Sequence, residues 1–551
     1  MELANWSPNK ARLLNLIKQV QQCMYKSQDQ ANHEIETKSS QKSIELRMKG
    51  NSYFKNVSHN EMDHKMTLFY YCKSIAYAPP DSEDLATAYS NRSALWLHVH
   101  KYDLCLIDID RALKLTGSSE LKDRLISRKD ECVDLYLSQD TQDEHKKIEL
   151  PKFNPSKIVP CVADFIKLEF DLKSGKHYVA LRDIRPGEVI LCEETPYSSV
   201  KYSQIYLVCS HCLSFAWAGI PCNFCVFATY CSETCKKEAW QQYHDVMCQK
   251  LSVYHSSAGD DEELFGLMYM ANKIMNIFSK KEELGTILKE AQKFDKQKGV
   301  RLDQLVSEGK VNCKGFKSLY SLINFKLCDE IEFTSMDSIS EKLIHIISLN
   351  SLKFQTTVPS ECAGNVTHTC ARNCNDFESC MMNNCTNRGR IVGPCSSFMN
   401  HSCVPNVAQV FLPGPKIVMI TISPIQKGEQ LCISYGPNAH GMPKQLRLEE
   451  LQKTYFFNCE CKACTENFPG SLTMTPVPSK IEMMSSEMSR AFGDYARMFN
   501  SPCNTWHYSE DLYKAAVHMC EFVYERFNAR EAFLLSRTFK NYIQQCFIYL
   551  Y

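Results

Sequence analysis

The residues best equipped for chemistry are cysteines. Between 209 and 248 they form a regular series: Cys209-x2-Cys212, Cys222-x2-Cys225, Cys231-x3-Cys235, then His244-x3-Cys248. Eight thiol and imidazole donors in so short a segment suit two tetrahedral zinc ions. A segment of this size buries little apolar surface, so metal must supply much of its folding energy. A second group, Cys459-x-Cys461-x2-Cys464, is one donor short of a tetrahedral shell. A third cysteine-rich stretch, 362–395, carries Cys362, Cys370, Cys374, Cys380, Cys385 and Cys395. Its spacing is irregular, and it reads as a loop.

These donors need a scaffold. The chain has 551 residues, so several domains are expected. It is 44% hydrophobic, which allows real cores, and its 63 basic and 63 acidic residues cancel. No overall basic field marks it for nucleic acid. The first residues, MELANWSPNKARLLNLIKQV, lack the apolar core of a secretion signal. No uncharged run reaches the ~18 residues of a spanning helix. A protein of cytoplasm and nucleus is expected, without membrane attachment. In such compartments a count of 29 cysteines points to metal before disulfides.

Residues 1–43 read as a helical lead-in. From Ile44 small and aromatic residues recur at helical spacing, in pairs closed by Pro79-Pro80 and by Gly117. A third helix, KDRLISRKDECVDLYL, completes the unit. Helix pairs with a period of roughly 34 residues are the pattern of tetratricopeptide (TPR) repeats, expected over 44–138. After Val159 the texture becomes β-like. HYVALRDI and RPGEVI read as two strands joined by a Pro-Gly turn. Helical texture follows over 262–355, strand texture over 407–434, and helices again over 480–551.

Four stretches in this order carry a family resemblance. TYCSETCKKEAWQQYHDVMC resembles a MYND zinc finger; SSFMNHSCVPN, ISYGP and FFNCECKAC resemble the core and trailing segments of a SET domain split by that finger. The chain is thereby similar to the TPR-bearing branch of the SET-and-MYND (SMYD) protein-lysine methyltransferases, over roughly 155–465. The implied fold is a multidomain α+β one. Helical TPR repeats (44–138) precede a β-rich SET domain whose first part is 155–208. It is split by a MYND finger (209–248) and a helical insertion with a Cys-rich loop (249–395). Core SET (396–437), a post-SET zinc segment (438–465) and a helical carboxyl-terminal segment (466–551) follow.

The resemblance also implies roles. Cys209, Cys212, Cys231 and Cys235 would hold one zinc; Cys222, Cys225, His244 and Cys248 a second. Cys403 would complete a third with Cys459, Cys461 and Cys464. S-adenosylmethionine would be bound by Gly175, Lys176, Ser397, Met399, Asn400, His401 and Phe457, with Tyr435 touching it as the catalytic residue. Tyr455 would line the lysine channel. The logic is physical. Lysine titrates near ~10.4, so its amine must be desolvated and aligned before it attacks a sulfonium methyl. The chain departs from the family's Gly-x-Gly cofactor loop: Gly175-Lys176 is followed by His177. That imidazole could crowd the cofactor, and it favours a competing reading as a non-catalytic SET/MYND adaptor.

Partners follow from the same resemblance: a lysine-bearing protein, histone or otherwise, and proline-rich peptides or co-repressors at the finger. Arg47, Asn51, Asn91, Arg124 and Arg128 match the carboxylate clamp of repeats that bind the acidic tails of heat-shock chaperones. Arg47 with Asn51, and Arg124 with Arg128, are each one helical turn apart and share a face.

Overall fold

The computed structural model describes residues 36–55, 61–138, 152–171, 173–258, 261–279, 352–355, 387–412, 414–455, 457–468 and 510–526, with single positions at 347, 532, 533, 536, 540 and 543. The lead-in before residue 36, the cysteines at 362, 370, 374, 380 and 385, and most of the helical tail lie outside the described residues.

Among the described residues five helices come first: α1 (Ser40–Phe54), α2 (Glu61–Tyr77), α3 (Glu83–His98), α4 (Tyr102–Leu115) and α5 (Ser119–Ser138). Helix α1 starts four residues earlier than the apolar pattern from Ile44 suggests. Ser39 caps it, its hydroxyl accepting the Lys42 N–H at 3.2 Å. Ser82 caps α3 in the same way through Leu85 N–H at 3.2 Å. The period is also longer than expected. From Ser40 to Glu83 is 43 residues, against 36 from Glu83 to Ser119, because α2, with 17 residues, is longer than α4, with 14, and the intervals between helices are wider in the first pair. Within the bundle Arg92 and Asp108, 1% and 0% exposed, form a buried ion pair at 2.7 Å. Trp96 Nε1 donates to the same carboxylate at 3.2 Å. Arg92 also donates to Gly219 O at 3.1 Å, and Arg111 to Ala218 O at 2.5 Å, so the helices are pinned to the cysteine-rich segment.

Among the described residues the β-rich part comprises three small sheets beside a two-stranded ribbon. The first pairs β1 (Ile166–Asp171) with β2 (Gly175–Ala180), then β12 (Gln430–Ile433), then β9 (Asn400–His401). The β9–β12 pairing is parallel, Cys432 opposite Asn400 and Ile433 opposite His401. The second sheet orders β10 (Val407–Leu412), β11 (Lys416–Thr421) and β3 (Val189–Glu194); its strands bury Val410, Val418 and Ile420. The third orders β4 (Ser198–Val200), β8 (Asn387–Ile391) and β7 (Leu352–Gln355). Residues 177–190 therefore do not form the hairpin that their Pro-Gly turn suggests. Strand β2 pairs with β1 and β12, whereas β3 pairs with β11 in the other sheet. The turn is real, with Gly187 at φ +85°, but Ile184 bridges Ile425 and diverts the chain between sheets.

Between β4 and β8 the chain makes its metal-donor excursion. It contains a two-stranded ribbon, β5 (Ile220–Pro221) and β6 (Thr229–Tyr230), then α6 (Glu233–Ala239), α7 (Leu251–Ala258) and α8 (Glu262–Ser279). Ser232 caps α6 through Cys235 N–H at 3.1 Å. Beyond the sheets lie α9 (Lys444–Tyr455), the short α10 (Lys462–Thr465) and α11 (Glu510–Arg526). Among the described residues no helix is long and apolar enough to cross a membrane.

Candidate functional site

The fold gathers the donor cysteines into three tight groups. Cys209, Cys212, Cys231 and Cys235 have their sulfurs within 4.8 Å of one another, as do the donors of Cys222, Cys225, His244 and Cys248. The third group joins Cys403, from the turn after β9, to Cys459, Cys461 and Cys464 around α10. Individual separations are 3.5 Å for Cys212–Cys231, 3.7 Å for Cys222–Cys248 and 3.6 Å for Cys403–Cys464. A tetrahedron with zinc–sulfur bonds of ~2.3 Å has edges of roughly 3.8 Å, so each group fits one ion. Thiol contacts from Cys209 to Cys212, from Cys225 to Cys222 and from Cys403 to Cys461 hold the second of each pair well below the usual thiol range. Arg447, buried beside the third group, donates to Met442 O at 2.6 Å and approaches Cys464 Sγ at 3.8 Å. The sequence pattern gave no hint of it.

Against this third group lies a cluster of rings. His401 is 5.3 Å from Tyr435 and 6.0 Å from Phe457, centroid to centroid; Tyr435 is 4.8 Å from Tyr455. Residues from β9, from just after β12, from the last turn of α9 and from the segment after it thus share one place. Tyr435 donates its hydroxyl to Met399 O at 2.8 Å, and its backbone N–H to His401 Nδ1 at 3.0 Å. Tyr455 donates to Tyr435 O at 3.2 Å. Burial raises the Tyr435 phenol above its ordinary value and pulls His401 down to about 4. Both are neutral near pH 7.

The glycine turn is tied to the same place. Asn400 Nδ2 donates to Ser174 O at 2.8 Å, joining β9 to the turn that opens β2. Gly175 has φ +64°, a backbone state that glycine adopts freely, and a Cβ added there would meet nothing within 4 Å. Open space therefore lies on that side of the turn. Burial lowers the Lys176 amine to about 8, and its nitrogen lies 5.5 Å from the Phe398 ring centre. His177, the substituted position, turns back on its own turn. Its ring is buried, Nδ1 lies 3.0 Å from Gly175 O and Nε2 3.7 Å from Asp171. Ser397 donates to Gly393 O at 2.8 Å, within the 3-10 turn Ser396–Phe398.

The five clamp candidates occupy the helices, with differing commitments. Asn51 accepts from both Asn91 (2.7 Å) and Tyr71 (2.9 Å). Arg128 donates to Ser90 O at 2.7 Å and to Ser93 Oγ at 2.8 Å, tying α5 to α3. Arg47 is half-buried and Arg124 exposed.

Residues 175–436 match the SET domain family. The protein-lysine N-methyltransferase SMYD4 of Homo sapiens is 23% identical over 532 residues, covering 74% of this chain and 66% of that protein. A SET and MYND domain-containing protein of Dictyostelium discoideum is 25% identical, covering 54% and 81%. The histone-lysine N-methyltransferase SMYD3 of Homo sapiens is 26% identical, covering 53% and 59%. The chain spans 66% of the length of the mammalian SMYD4 proteins it matches.

Proposed function

We propose that this chain, which belongs to the SET-and-MYND proteins, is a protein-lysine N-methyltransferase acting on histone or non-histone proteins. One observation carries the reading: the Tyr435 hydroxyl, neutral and held on Met399 O, stands beside Tyr455, Phe457 and His401 next to the strand that carries Asn400. Bound S-adenosylmethionine supplies an electrophilic methyl on a sulfonium. The open side of Gly175, with Lys176, Ser397, Met399, Asn400, His401 and Phe457, fits such a ligand. Lys176 is suited to its carboxylate, and Asn400 holds the turn in place. The Tyr435 oxygen orients the incoming amine, and the Tyr455 and Phe457 rings exclude water from it. Desolvation there favours the neutral amine over the ammonium. The three thiolate groups suit zinc; the third braces the wall that bears Tyr455 and Phe457.

The experiment is titration of S-adenosylmethionine into the zinc-loaded chain, followed by a methylation screen with Y435F as control. Binding plus Tyr435-dependent transfer supports the enzyme. Silence in both favours the second reading, the SET/MYND adaptor, for which His177 is the motivating feature. In either reading α1–α5 act as TPR repeats that take the acidic tails of heat-shock chaperones. The MYND finger takes proline-rich peptides or co-repressors, a role that the exposed Phe224 beside Trp240 suits. Cytoplasm and nucleus are the proposed compartments.

A further inference from the structure

Glu193 is 0% exposed, an expensive place for a carboxylate. It projects from β3, the strand that belongs to the other sheet. Its two oxygens accept backbone protons from consecutive residues, Cys395 N–H at 2.9 Å and Ser396 N–H at 2.8 Å. These amides open the 3-10 turn Ser396–Phe398, which leads into Met399, Asn400 and His401. Everything around the turn closes on the same point. Ser396 and Ser397 hydroxyls donate to Gly393 O, and Tyr178 donates to Cys395 O at 3.0 Å. Thr195, two residues beyond Glu193, donates to Val392 O at 2.8 Å. A Cβ added at Gly393 would lie 2.4 Å from Glu193 Oε2 and 2.2 Å from Ser396 Oγ, so the carboxylate is packed directly on the turn. Donors on Cys161 and Cys395 lie within 4.8 Å of it, but both carboxylate oxygens already accept from amides.

We propose that Glu193 is a positioning residue for the cofactor site: its carboxylate clamps the amides of 395 and 396 and so fixes the height of Met399 and Asn400 against Gly175 and Tyr435. A carboxylate is the one side chain of this size that accepts from two adjacent amides with both oxygens and donates nothing. Met399 O, the acceptor for the Tyr435 hydroxyl, sits at the far end of the clamped turn. The inference rests on the proposed binding of S-adenosylmethionine.

The test is calorimetric titration of the full zinc-loaded chain and of E193Q, G393A and V410A. In E193Q the amide NH2 faces a backbone N–H, which frees the turn. G393A pushes the carboxylate off it from the other side. V410A removes core volume from the same sheet away from the turn. The expected result is a roughly tenfold loss of S-adenosylmethionine affinity in E193Q and in G393A, little further loss in the double variant, and a change under twofold in V410A. Faster amide exchange across 394–400 should accompany it in E193Q, read without cofactor. Wild-type affinity in a folded E193Q, or equal losses in all three variants, overturns the proposal. If E193Q does not fold, wild-type affinity in G393A overturns it. Wild-type protein that binds no cofactor, whatever E193Q does, refutes the underlying enzyme reading and this proposal with it.

Discussion

The Tyr435 amide donates to Nδ1 of His401 at 3.0 Å. Because Nδ1 accepts, the imidazole proton sits on Nε2, which lies 3.3 Å from Cys403 Sγ. One neutral ring therefore bridges the Tyr435 backbone and a thiol of the third donor group. Second-layer contacts of this kind set the orientation and charge of metal ligands.

The first prediction follows from that bridge. C403S should lose one zinc equivalent of three, read by atomic emission, and should lose methyl transfer with it. C222S should also lose one equivalent, but through the cysteine-rich segment, with the larger effect on folding. Transfer retained in a C403S protein that has lost the ion would separate the metal from the site.

Removing the Tyr435 hydroxyl leaves the aromatic wall standing. Y435F should bind S-adenosylmethionine within a few-fold of wild type while transfer falls by about a hundredfold, the cost of misplacing a reacting group. A radiometric assay at saturating cofactor measures it. Equal rates would remove the hydroxyl from the mechanism.

Lys176 gives a pH signature. Burial lowers its amine from an ordinary 10.5 to about 8. Between those values the unfolded chain carries the proton and the folded one has shed it, so stability rises with pH across the window; below about 8 the full cost of burying the charge is present. K176M should raise the thermal midpoint at pH 7 and flatten the wild-type rise between pH 8 and 10. Cofactor affinity should fall in the same variant, as a carboxylate loses its cation.

The ion pair of Arg92 and Asp108 can be broken from one side or both. R92M leaves the buried Asp108 carboxylate to Arg111, at 3.4 Å, and to Trp96, and should cost about 3 kcal/mol, the low end for a broken buried pair, whereas R92M with D108L should cost less. Urea unfolding followed by tryptophan emission reads this, because Trp96 touches the same carboxylate.

In the proposed clamp the two arginines of α5 should behave differently. R124A should weaken an acidic tail peptide about fivefold, the worth of an exposed charge pair at ~1 kcal/mol. R128A should chiefly lower stability, since it strips the hydrogen bonds to Ser90 and Ser93.

Much of this was visible in the amino-acid sequence, for identifiable reasons. Paired cysteines advertise themselves because metal geometry dictates donor spacing. Helix starts at Ser82 and Ser232 carry their caps in the sequence. Three things were hidden. The Pro186-Gly187 turn has hairpin chemistry, yet the partners of its strands are chosen more than two hundred residues away, at Ile425 and Met419. The first helix pair is stretched by a longer second helix and wider intervals between helices, which apolar periodicity does not measure. Glu193 looks like one of two ordinary strand-end glutamates; only the approach of residues 393–396 distinguishes it from Glu194.

Strand β4 ends at Val200, and its partner in register on β8 is Gly389. The 188 intervening positions (201 to 388) thus depart and return side by side, Lys201 N–H donating to Arg388 O at 2.8 Å, while β7 from within them pairs along the other edge of β8. Such a gate lets the intervening length grow or shrink over evolutionary time without re-registering β4 against β8. It also nominates Val200 and Gly389 as the splice points for grafting this excursion onto another scaffold.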